Sequence, residues 1–259
     1  MGINIPKYVA HIAEGEYLES IETIRERNPF PAICGRICHH PCEGRCRRGE
    51  LDEPVAIRSL KRFVSDWYFD HLDELPPPQP FPRTKPQKIA VVGAGPTGLS
   101  CAYYLAQMGY GVTVFEALPV GGGMLSVAIP EFRLPRRVIQ QEIEYIARRG
   151  VDIKYNMPIG VNYTVDDLLK KDGFAAVFIA AGAQRSQRIG IPGELEDVEG
   201  FHYGLRFLRD VRVGKEVRIG RRVAVIGGGN VALDAARTAL RLGADEVNIF
   251  YRRSREEMP

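Results

Sequence analysis

KIAVVGAGPTGLS, residues Lys88 to Ser100, is the stretch that decides the fold of this chain. Its apolar run KIAVV predicts a buried strand, and Gly93, Gly95 and Gly98 follow with the spacing G-x-G-x-x-G. In such a turn the first glycine permits a tight bend, the second lets the backbone approach a pyrophosphate, and the third allows the helix to pack close to the strand. The stretch therefore predicts the start of a dinucleotide-binding unit.

The residues that follow complete this unit. A helix is predicted from Pro96 to Gly109, and the next strand from Gly111 to Glu116. The helix N-terminus presents free N–H groups, which suit phosphates. A carboxylate at the end of the second strand suits a ribose with free hydroxyls, as in FAD or NAD. Glu116 is therefore a candidate ribose ligand.

A second glycine turn lies near the end of the chain, in VAVIGGGNVALDAA (223–236). Gly227, Gly229 and Ala232 give G-x-G-x-x-A, an allowed variant of the same spacing. A helix is predicted from Val231 to Leu242. A strand is predicted on either side of this helix, one beginning near residue 221 and one over 246–251.

The residues after this last strand are basic rather than acidic. Tyr251 stands where Glu116 stands in the first unit, and Arg252 and Arg253 follow it. Arginine binds phosphate through a planar fork of donors, so the pair suits the 2′-phosphate of NADP. The alternative is that YRRSREE is a solvated charged stretch. The pattern favours NADP without excluding NAD.

Four of the five cysteines crowd into CGRICHHPCEGRC, at Cys34, Cys38, Cys42 and Cys46. Zinc sites usually separate two cysteine pairs by a longer loop. Four evenly spaced thiols are more typical of iron–sulfur ligation, and Pro41 would break a continuous helix as a wrapping loop requires. An iron–sulfur site is therefore favoured, with zinc and free thiols as the alternatives.

The composition is that of an ordinary globular chain. Of 259 residues, 45% are hydrophobic and 26% charged, and the net charge of +3 is too small to indicate binding to nucleic acid or a membrane surface. No apolar run reaches the roughly 18 residues of a membrane span, and the N-terminus lacks the pattern of a signal peptide. These observations predict a cytoplasmic protein without disulfides.

The predicted fold class is α/β: a helical iron–sulfur domain, a doubly wound Rossmann-like FAD domain, and the first part of a second Rossmann-like NAD(P) domain. In the first domain, helices are predicted over 17–27 and 55–72, the latter with Phe63 on its apolar face. FAAVFIAAGA (174–183) predicts another buried strand of the FAD domain. The boundaries are 1–75 for the helical domain, 76–87 for a proline-rich linker, 88–218 for the FAD domain and 219–259 for the NADP domain.

The chain resembles the small (beta) subunit of NADPH-dependent glutamate synthase and its relatives. These include the N-terminal half of dihydropyrimidine dehydrogenase and NADH-dependent ferredoxin:NADP oxidoreductases. The resemblance rests on NPFPAICGRICHHPCEGRCRRGELDEPVAIRSLKRF, VVGAGPTGLSCAYYLAQMGYGVTVFEA, GGGMLSVAIPEFRLP and VAVIGGGNVALDAARTALRLGADEVNIFYRRSREEMP. It implies a helical iron–sulfur domain, an FAD domain and an NADPH domain inserted within the FAD domain.

The resemblance also implies roles for residues at matching positions. The adenosine diphosphate part of FAD would be held by Gly93, Gly95, Pro96, Thr97 and Glu116, with Gly98 completing the turn. The flavin would lie along Gly123, Met124 and Arg133. NADPH would be held by Gly229, Asn230, Val231, Arg252 and Arg253, with Gly227 in the turn. [4Fe–4S] clusters would be ligated by Cys38, Cys42 and Cys46, whereas the counterpart of Cys34 is not a ligand in some relatives.

The chain departs from the family pattern at both ends. Relatives carry another cysteine group just upstream of the segment that matches GINIPKYV, and the two groups share two clusters. Relatives also continue into a C-terminal segment that contacts the flavin. Because one β-α-β unit cannot bury both faces of its sheet, we expect this sequence to be a fragment of a longer polypeptide.

These features together predict an NADPH-dependent flavoprotein that passes electrons through FAD to iron–sulfur clusters. No acid–base pair or nucleophile for further chemistry is identified, so the substrate reaction would take place on a partner, such as an amidotransferase large subunit. The alternatives are a ferredoxin:NADP oxidoreductase type of protein with a ferredoxin-like acceptor, and an inactive fragment. The sequence does not fix the final acceptor or the direction of electron flow.

Overall fold

The N-terminal part of the chain is helical, in a computed structural model that describes residues 2–192, 194 and 198–258. Its helices are α1 (Ile5–Glu14), α2 (Tyr17–Arg25), α3 (Pro31–Ile37) and α4 (Ile57–Asp70). Local sequence explains both ends of α1. The side chain of Asn4 accepts the N–H of Lys7 at the N-terminus, and Gly15 ends the helix with a φ of +80°.

The helices enclose a small core around Tyr8, which is fully buried and donates its hydroxyl to the carbonyl of Ile57 at 3.2 Å. The predicted apolar face of α4 is largely confirmed, since Ile57, Val64 and Tyr68 are buried. Phe63, which was predicted on the same face, is 46% exposed. Phe63 lies at the rim, where its ring meets Tyr17 edge-on at 5.3 Å.

The proline-rich stretch contains neither helix nor strand from residue 76 to 85. It is nevertheless attached to the rest of the chain through residues 81–85. The N–H of Phe81 donates to the carbonyl of Arg149 at 3.0 Å, and the N–H groups of Thr84 and Lys85 both donate to the carbonyl of Gly109. Because proline lacks an N–H, such isolated bonds replace the ladder of a paired strand.

A parallel sheet forms the centre of the chain, as predicted. Its strands are β1 (Lys88–Val92), β2 (Gly111–Phe115), β3 (Val151–Lys154) and β4 (Ala176–Ile179), in the order β3-β2-β1-β4. The helices between them are α5 (Pro96–Gln107), the short α6 (Met124–Val127), α7 (Arg136–Arg148) and α8 (Val165–Lys170). This alternation gives a Rossmann-like fold.

Both faces of β1 are covered, which explains its continuous apolar sequence. Ala90 packs in a cluster with Phe115 and Leu168 of α8, and Val91 lies on the opposite face beneath α5. The expectation that residues 174–183 form a buried strand is wrong for β4. Phe178 and Ile179 are 38% and 64% exposed, because β4 is the last strand at its edge among the described residues.

The C-terminal part contains α9 (Gly204–Arg212), β5 (Arg222–Ile226), α10 (Asn230–Arg241) and β6 (Glu246–Phe250). β5 and β6 pair in parallel, with Val225 beside Ile249. Phe207 and Leu208 of α9 form a buried cluster with Ala235 and Ala239 of α10. Because the two small alanines allow close approach, α9 covers the helix of the second glycine turn.

The chain divides into two compact units. The first consists of Met1–Gly123 and Arg133–Gly182, and the second of Met124–Phe132 and Ala183–Pro259. The second unit therefore includes residues 183–218, which the sequence assigned to the FAD domain. No helix among the described residues is both long and apolar enough to cross a membrane.

The segment Met124–Phe132 is fixed within the second unit by Arg212, a buried residue of α9. The Nε of Arg212 donates to the carbonyl of Ser126 at 3.1 Å, and its guanidinium pairs with the carboxylate of Glu131. The ring of Phe132 lies under the guanidinium of Arg241, 3.9 Å from its centroid. Charge and stacking thus hold both ends of the segment.

Candidate functional site

The first glycine turn requires glycine at two positions. Gly93 has a φ of +103°, and a Cβ built on it would lie 2.4 Å from the carbonyl oxygen of Ala180. A Cβ on Gly98 would lie 1.9 Å from the carbonyl oxygen of Gly93. The N–H of Gly93 donates to the carbonyl of Phe115 at 2.8 Å, which fixes the turn against the end of β2.

The middle glycine begins α5 and leaves space above the turn. Gly95 is extended, with φ −76° and ψ 177°, and α5 has no side-chain cap at this end. The nearest atom to a Cβ built on Gly95 is the Cα of Gly123, 4.0 Å away. Pro96 and Thr97 are exposed in the first helical turn. Uncapped N–H groups beside an open glycine suit a pyrophosphate.

Glu116 lies at the position expected of a ribose ligand and is held rigidly. Its side chain is 7% exposed; one oxygen accepts the N–H of Ala94 at 2.8 Å, and the other accepts the N–H of Leu118 at 2.9 Å. A carboxylate oxygen has two lone pairs, so each retains one for a ribose hydroxyl. The sequence did not predict the bond to Ala94, which ties Glu116 to the glycine turn itself.

A run of three glycines, residues 121–123, packs against the first glycine turn. The N–H of Gly122 donates to the carbonyl of Ala94 at 2.7 Å, and Gly123, with a φ of +54°, lies against the Cα of Gly95. Gly123 is thus brought to the first glycine turn. Met124 begins α6 in the second compact unit, whereas the half-buried Arg133 belongs to the first.

The second glycine turn repeats the backbone of the first. Gly227 has a φ of +127° and donates its N–H to the carbonyl of Phe250 at 2.8 Å. Gly229 directly precedes α10 with φ −85° and ψ 177°, and no atom of the described residues lies within 4 Å of a Cβ built on it. Asn230 and Val231 are exposed in the first turn of α10. This turn also leaves space for a phosphate.

A cavity of about 710 Å³ opens beside this turn within the second unit. Its lining includes Gly227, Gly229, Asn230, Val231 and Tyr203. Arg252 and Arg253 are exposed just beyond β6, outside this lining. The ring of Tyr251 covers Gly228, since a Cβ built on that glycine would lie 2.7 Å from the ring.

The four clustered cysteines occupy two kinds of local structure. Cys34 lies within α3, and Cys38 follows that helix directly. Cys42 and Cys46 flank a single 3₁₀ turn over Glu43–Arg45. The sequence treated all four as one loop, but α3 begins at Pro31, where proline is tolerated, and includes Cys34 before it ends at Ile37.

The cysteines also differ in electrostatic environment. Burial raises the pKa of the Cys34 thiol, and this thiol lies 3.8 Å from the side-chain oxygen of Asn28 as a hydrogen-bond donor. Backbone N–H groups of Val55 and Arg48 hold the pKa of the Cys46 thiol below its usual range. Cys38 accepts the N–H of His40 at 3.4 Å. A lowered pKa favours the thiolate that ligates metals, so Cys46 is better suited to ligation than Cys34.

The four sulfurs do not gather around a single ion. Among the described residues, three potential metal ligands come within 4.8 Å of one another only at His11, Glu14 and Glu16. Four sulfurs around one zinc ion would lie about 3.8 Å apart, given a Zn–S bond of about 2.3 Å. The geometry therefore gives no support to the zinc alternative. A cubane cluster holds its cysteine sulfurs farther apart than one ion does.

Two family models match the chain. The model described as pyridine nucleotide-disulphide oxidoreductase matches residues 82–258. The model described as dihydropyrimidine dehydrogenase domain II, 4Fe-4S cluster, matches residues 1–72. The matches divide the chain between an FAD- and NAD(P)-binding part and a 4Fe–4S part, which confirms the predicted cofactors. The open turns at Gly95 and Gly229 and the N–H donors to Cys46 fit these groups.

Curated relatives match nearly the whole chain. The beta subunit of an NADPH-Fe(3+) oxidoreductase of Geobacter sulfurreducens is 48% identical over 99% of this chain and 38% of that protein. The glutamate synthase [NADPH] small chain of Escherichia coli is 34% identical over 98% of this chain and 56% of that protein. The chain thus spans well under two thirds of the length of either relative.

A solved structure supports the fold of this chain. Mycobacterium tuberculosis FprA in complex with NADPH is similar with a TM-score of 0.58 and 25% identity. The likeness covers 67% of this chain and 45% of that one. Together with the parallel sheet, it confirms the Rossmann-like α/β prediction.

Proposed function

Because the chain belongs to the pyridine nucleotide-disulphide oxidoreductase family, we propose that it is the NADPH-reactive part of an electron-transfer subunit. In this proposal electrons pass from NADPH through FAD to iron–sulfur clusters held by the cysteine loop. The observation that carries the proposal is the pair of glycine turns, which have the same backbone conformation but are followed by side chains of opposite charge. Glu116 follows the first, and Arg252 with Arg253 follows the second.

We assign the roles accordingly. Bound FAD would supply the conversion between the two-electron chemistry of a nicotinamide and the one-electron chemistry of iron–sulfur centres. Glu116 would orient the ribose of FAD, because its two backbone bonds already fix the carboxylate. The uncapped N-termini of α5 and α10 would each hold a pyrophosphate.

The arginines would select the phosphorylated cofactor. Arg252 and Arg253 are exposed immediately after β6, where a 2′-phosphate would lie in this fold. An exposed guanidinium is free to approach a phosphate with two donors at once. The flavin segment would include Gly123, Met124 and Arg133, and the proposed cluster ligands are Cys38, Cys42 and Cys46. Cys34 is the weakest candidate, because burial raises the pKa of its thiol.

The domain boundaries are part of the same proposal. The helical cluster domain would span residues 1–75, the extended stretch 76–87, the FAD domain 88–218 and the NADP domain 219–259. The family matches to 1–72 and 82–258 support the division between the first domain and the rest. The packing of α9 on α10 favours assigning residues 204–212 to the NADP domain instead.

The final electron acceptor would belong to a partner. The 48% identical relative is named for Fe(3+), and the 34% identical relative for glutamate synthesis. This contrast favours a common NADPH module that serves different partners over a role specific to glutamate synthase. An amidotransferase large subunit is one candidate partner, and a ferredoxin-like acceptor is the alternative.

The test is an anaerobic visible spectrum of the purified chain, with iron and sulfide assays, before and after NADPH is added. Flavin bands and an iron–sulfur shoulder that bleach with NADPH, and more slowly with NADH, are the expected result. NADH serves as the matched control because it lacks only the 2′-phosphate. A protein that binds flavin and iron but bleaches with neither nucleotide would refute the proposed path.

A further inference from the structure

The helix that carries Cys34 lacks a local N-terminal cap. Phe30 precedes α3 and has no capping oxygen, and Pro31 has no N–H. The N–H groups of Ala32 and Ile33 would therefore remain unpaired in a buried helix end. Buried N–H groups are almost always paired, so a partner from elsewhere in the chain is required.

That partner is Glu142, which lies 110 residues away on α7. Its side chain is completely buried, and one carboxylate oxygen accepts the N–H of Ala32 at 2.5 Å. The N–H of Ile33 is a second donor to the same carboxylate. A side chain of the sheet-containing part of the first unit thus caps the helix of the cysteine loop.

The burial of Glu142 is energetically unfavourable, because its carboxylate has few polar partners. Within the part of the chain that the structure describes, the other oxygen of Glu142 has no hydrogen-bond partner. The nearby positive charges are Arg36, which pairs with Asp66, and Arg25. Arg25 is itself buried between the rings of Tyr68 and Tyr145, at 4.1 and 3.5 Å. Burying a carboxylate with so few partners is unfavourable, and leucine would fill the space without that cost.

We propose that Glu142 is a positioning residue that anchors the cysteine helix to the flavin-binding part of the chain. α7 packs against α3 on one side and against α5, the helix of the first glycine turn, on the other. The anchor therefore fixes the distance between Cys34–Cys38 and that turn. Its role in electron transfer rests on the proposed function. The rate of transfer from the flavin to a cluster falls steeply with the distance between them, so a residue that fixes this distance affects the rate.

The first experiment measures the anchor itself, by hydrogen exchange of residues 32–38 in the purified chain. Glu142→Leu removes the accepting carboxyl group, and we expect exchange there to accelerate about tenfold or more, since a buried N–H is left without its hydrogen-bond partner. Glu142→Gln keeps one neutral acceptor and should give a smaller increase. Glu144→Gln is the matched control, because Glu144 is exposed two residues away on the same helix.

Unchanged exchange in both Glu142 variants would overturn the anchor. If Glu142→Leu does not fold, Glu142→Gln decides the question alone: acceleration confined to residues 32–38 supports the anchor, and an unchanged or uniformly raised rate refutes it. The β1 and β2 amides, residues 88–92 and 111–115, serve as the internal reference.

The second experiment measures positioning, by stopped-flow reduction of Glu142→Gln with NADPH. We expect flavin bleaching at the wild-type rate but cluster bleaching severalfold slower, at unchanged iron and sulfide content. Equal cluster rates would overturn the positioning role. Absence of NADPH-dependent bleaching in the wild type would instead refute the proposed function. The anchor is still tested in that case, because hydrogen exchange does not depend on electron transfer.

Discussion

The two glycine turns share a backbone but not an environment. Gly95 and Gly229 precede their helices with nearly the same dihedral angles, and the first glycine of each turn donates its N–H, at 2.8 Å, to the last carbonyl of the neighbouring strand. The first turn, however, lies in a four-stranded sheet, and the second in a two-stranded one. The turn is therefore specified locally, by glycine spacing, whereas its rigidity comes from what packs around it.

The difference is largest at the third position of the fingerprint. Gly98 has the carbonyl of Gly93 where a Cβ would be, whereas the second turn accepts the Cβ of Ala232, 3.5 Å from one built on Gly227. The same motif is thus close-packed in one unit and looser in the other.

The largest expected effect tests that difference directly. Gly98→Ala should destabilise the first unit by about 3 kcal/mol or more, because the new methyl overlaps a backbone oxygen that cannot move without breaking the turn. Ala232→Gly should cost only about 1 kcal/mol, the usual difference in helix propensity. Denaturant unfolding followed by circular dichroism measures both. Equal costs would contradict the comparison.

The two units should also respond oppositely to pH. Burial raises the pKa of Glu142 to about 7 from its ordinary 4.5, against the pull of Arg25 and the Ala32 N–H. The folded first unit thus binds this proton more tightly than the unfolded chain does. Its stabilising contribution is complete below pH 4.5 and is lost as pH rises through about 7, up to roughly 3 kcal/mol.

In the second unit, a hydrogen bond from Lys215 lowers the pKa of Asp210. The contribution of Asp210 to stability is therefore lost as pH falls below about 4.

Unfolding of the wild type and of Glu142→Gln at pH 5 and pH 8 tests the prediction for the first unit. The free energy of unfolding of the wild type, relative to that of Glu142→Gln, should decrease from pH 5 to pH 8. A constant difference would show that Glu142 titrates normally.

A smaller effect is expected from removing the ribose ligand of the first turn. Glu116→Ala leaves the N–H groups of Ala94 and Leu118 without their acceptor and should cost about 2 kcal/mol, together with most bound flavin. Glu116→Gln retains acceptor capacity and should retain more of both. Calorimetry and flavin absorbance per chain measure these effects. Full flavin content in Glu116→Ala would remove that residue from the site.

The smallest effect concerns the second turn and should leave stability unchanged. Replacing Arg252 and Arg253 by glutamine should raise the KM for NADPH about tenfold, equivalent to about 1.5 kcal/mol for a lost charged hydrogen bond. The KM for NADH should not change, since that nucleotide has no 2′-phosphate. Arg255→Gln, a nearby exposed arginine, is the control. A parallel rise for both nucleotides would contradict selection of the phosphate.

Features set by neighbouring residues could be predicted from the sequence. The strand, turn and helix around Gly93 and around Gly227 follow from glycine spacing and apolar runs, and the structure places them within a few residues of the prediction. Exposure was less predictable. Phe178 was expected to be buried because its strand is apolar, but burial depends on which strand lies alongside, and sequence alone does not supply that.

Features that join distant segments could not be predicted. Nothing in the sequence near Pro31 shows that Glu142 caps α3, because the helix looks complete apart from its missing capping residue. The contact of Gly123 with Gly95 is similar, since it requires the path of the chain after β2. A glutamate within an otherwise apolar helix face was the available signal for Glu142.

The segment Met124–Phe132 has a consequence for synthesis of the protein. Leu125 and Val127 are buried in the second unit, where their helix packs against α9, yet they are made well before α9 and α10. A growing chain folds from its N-terminus as it emerges. The sheet of the first unit can therefore form while this apolar segment is still an exposed loop. The segment becomes buried only after α9 and α10 have been synthesised.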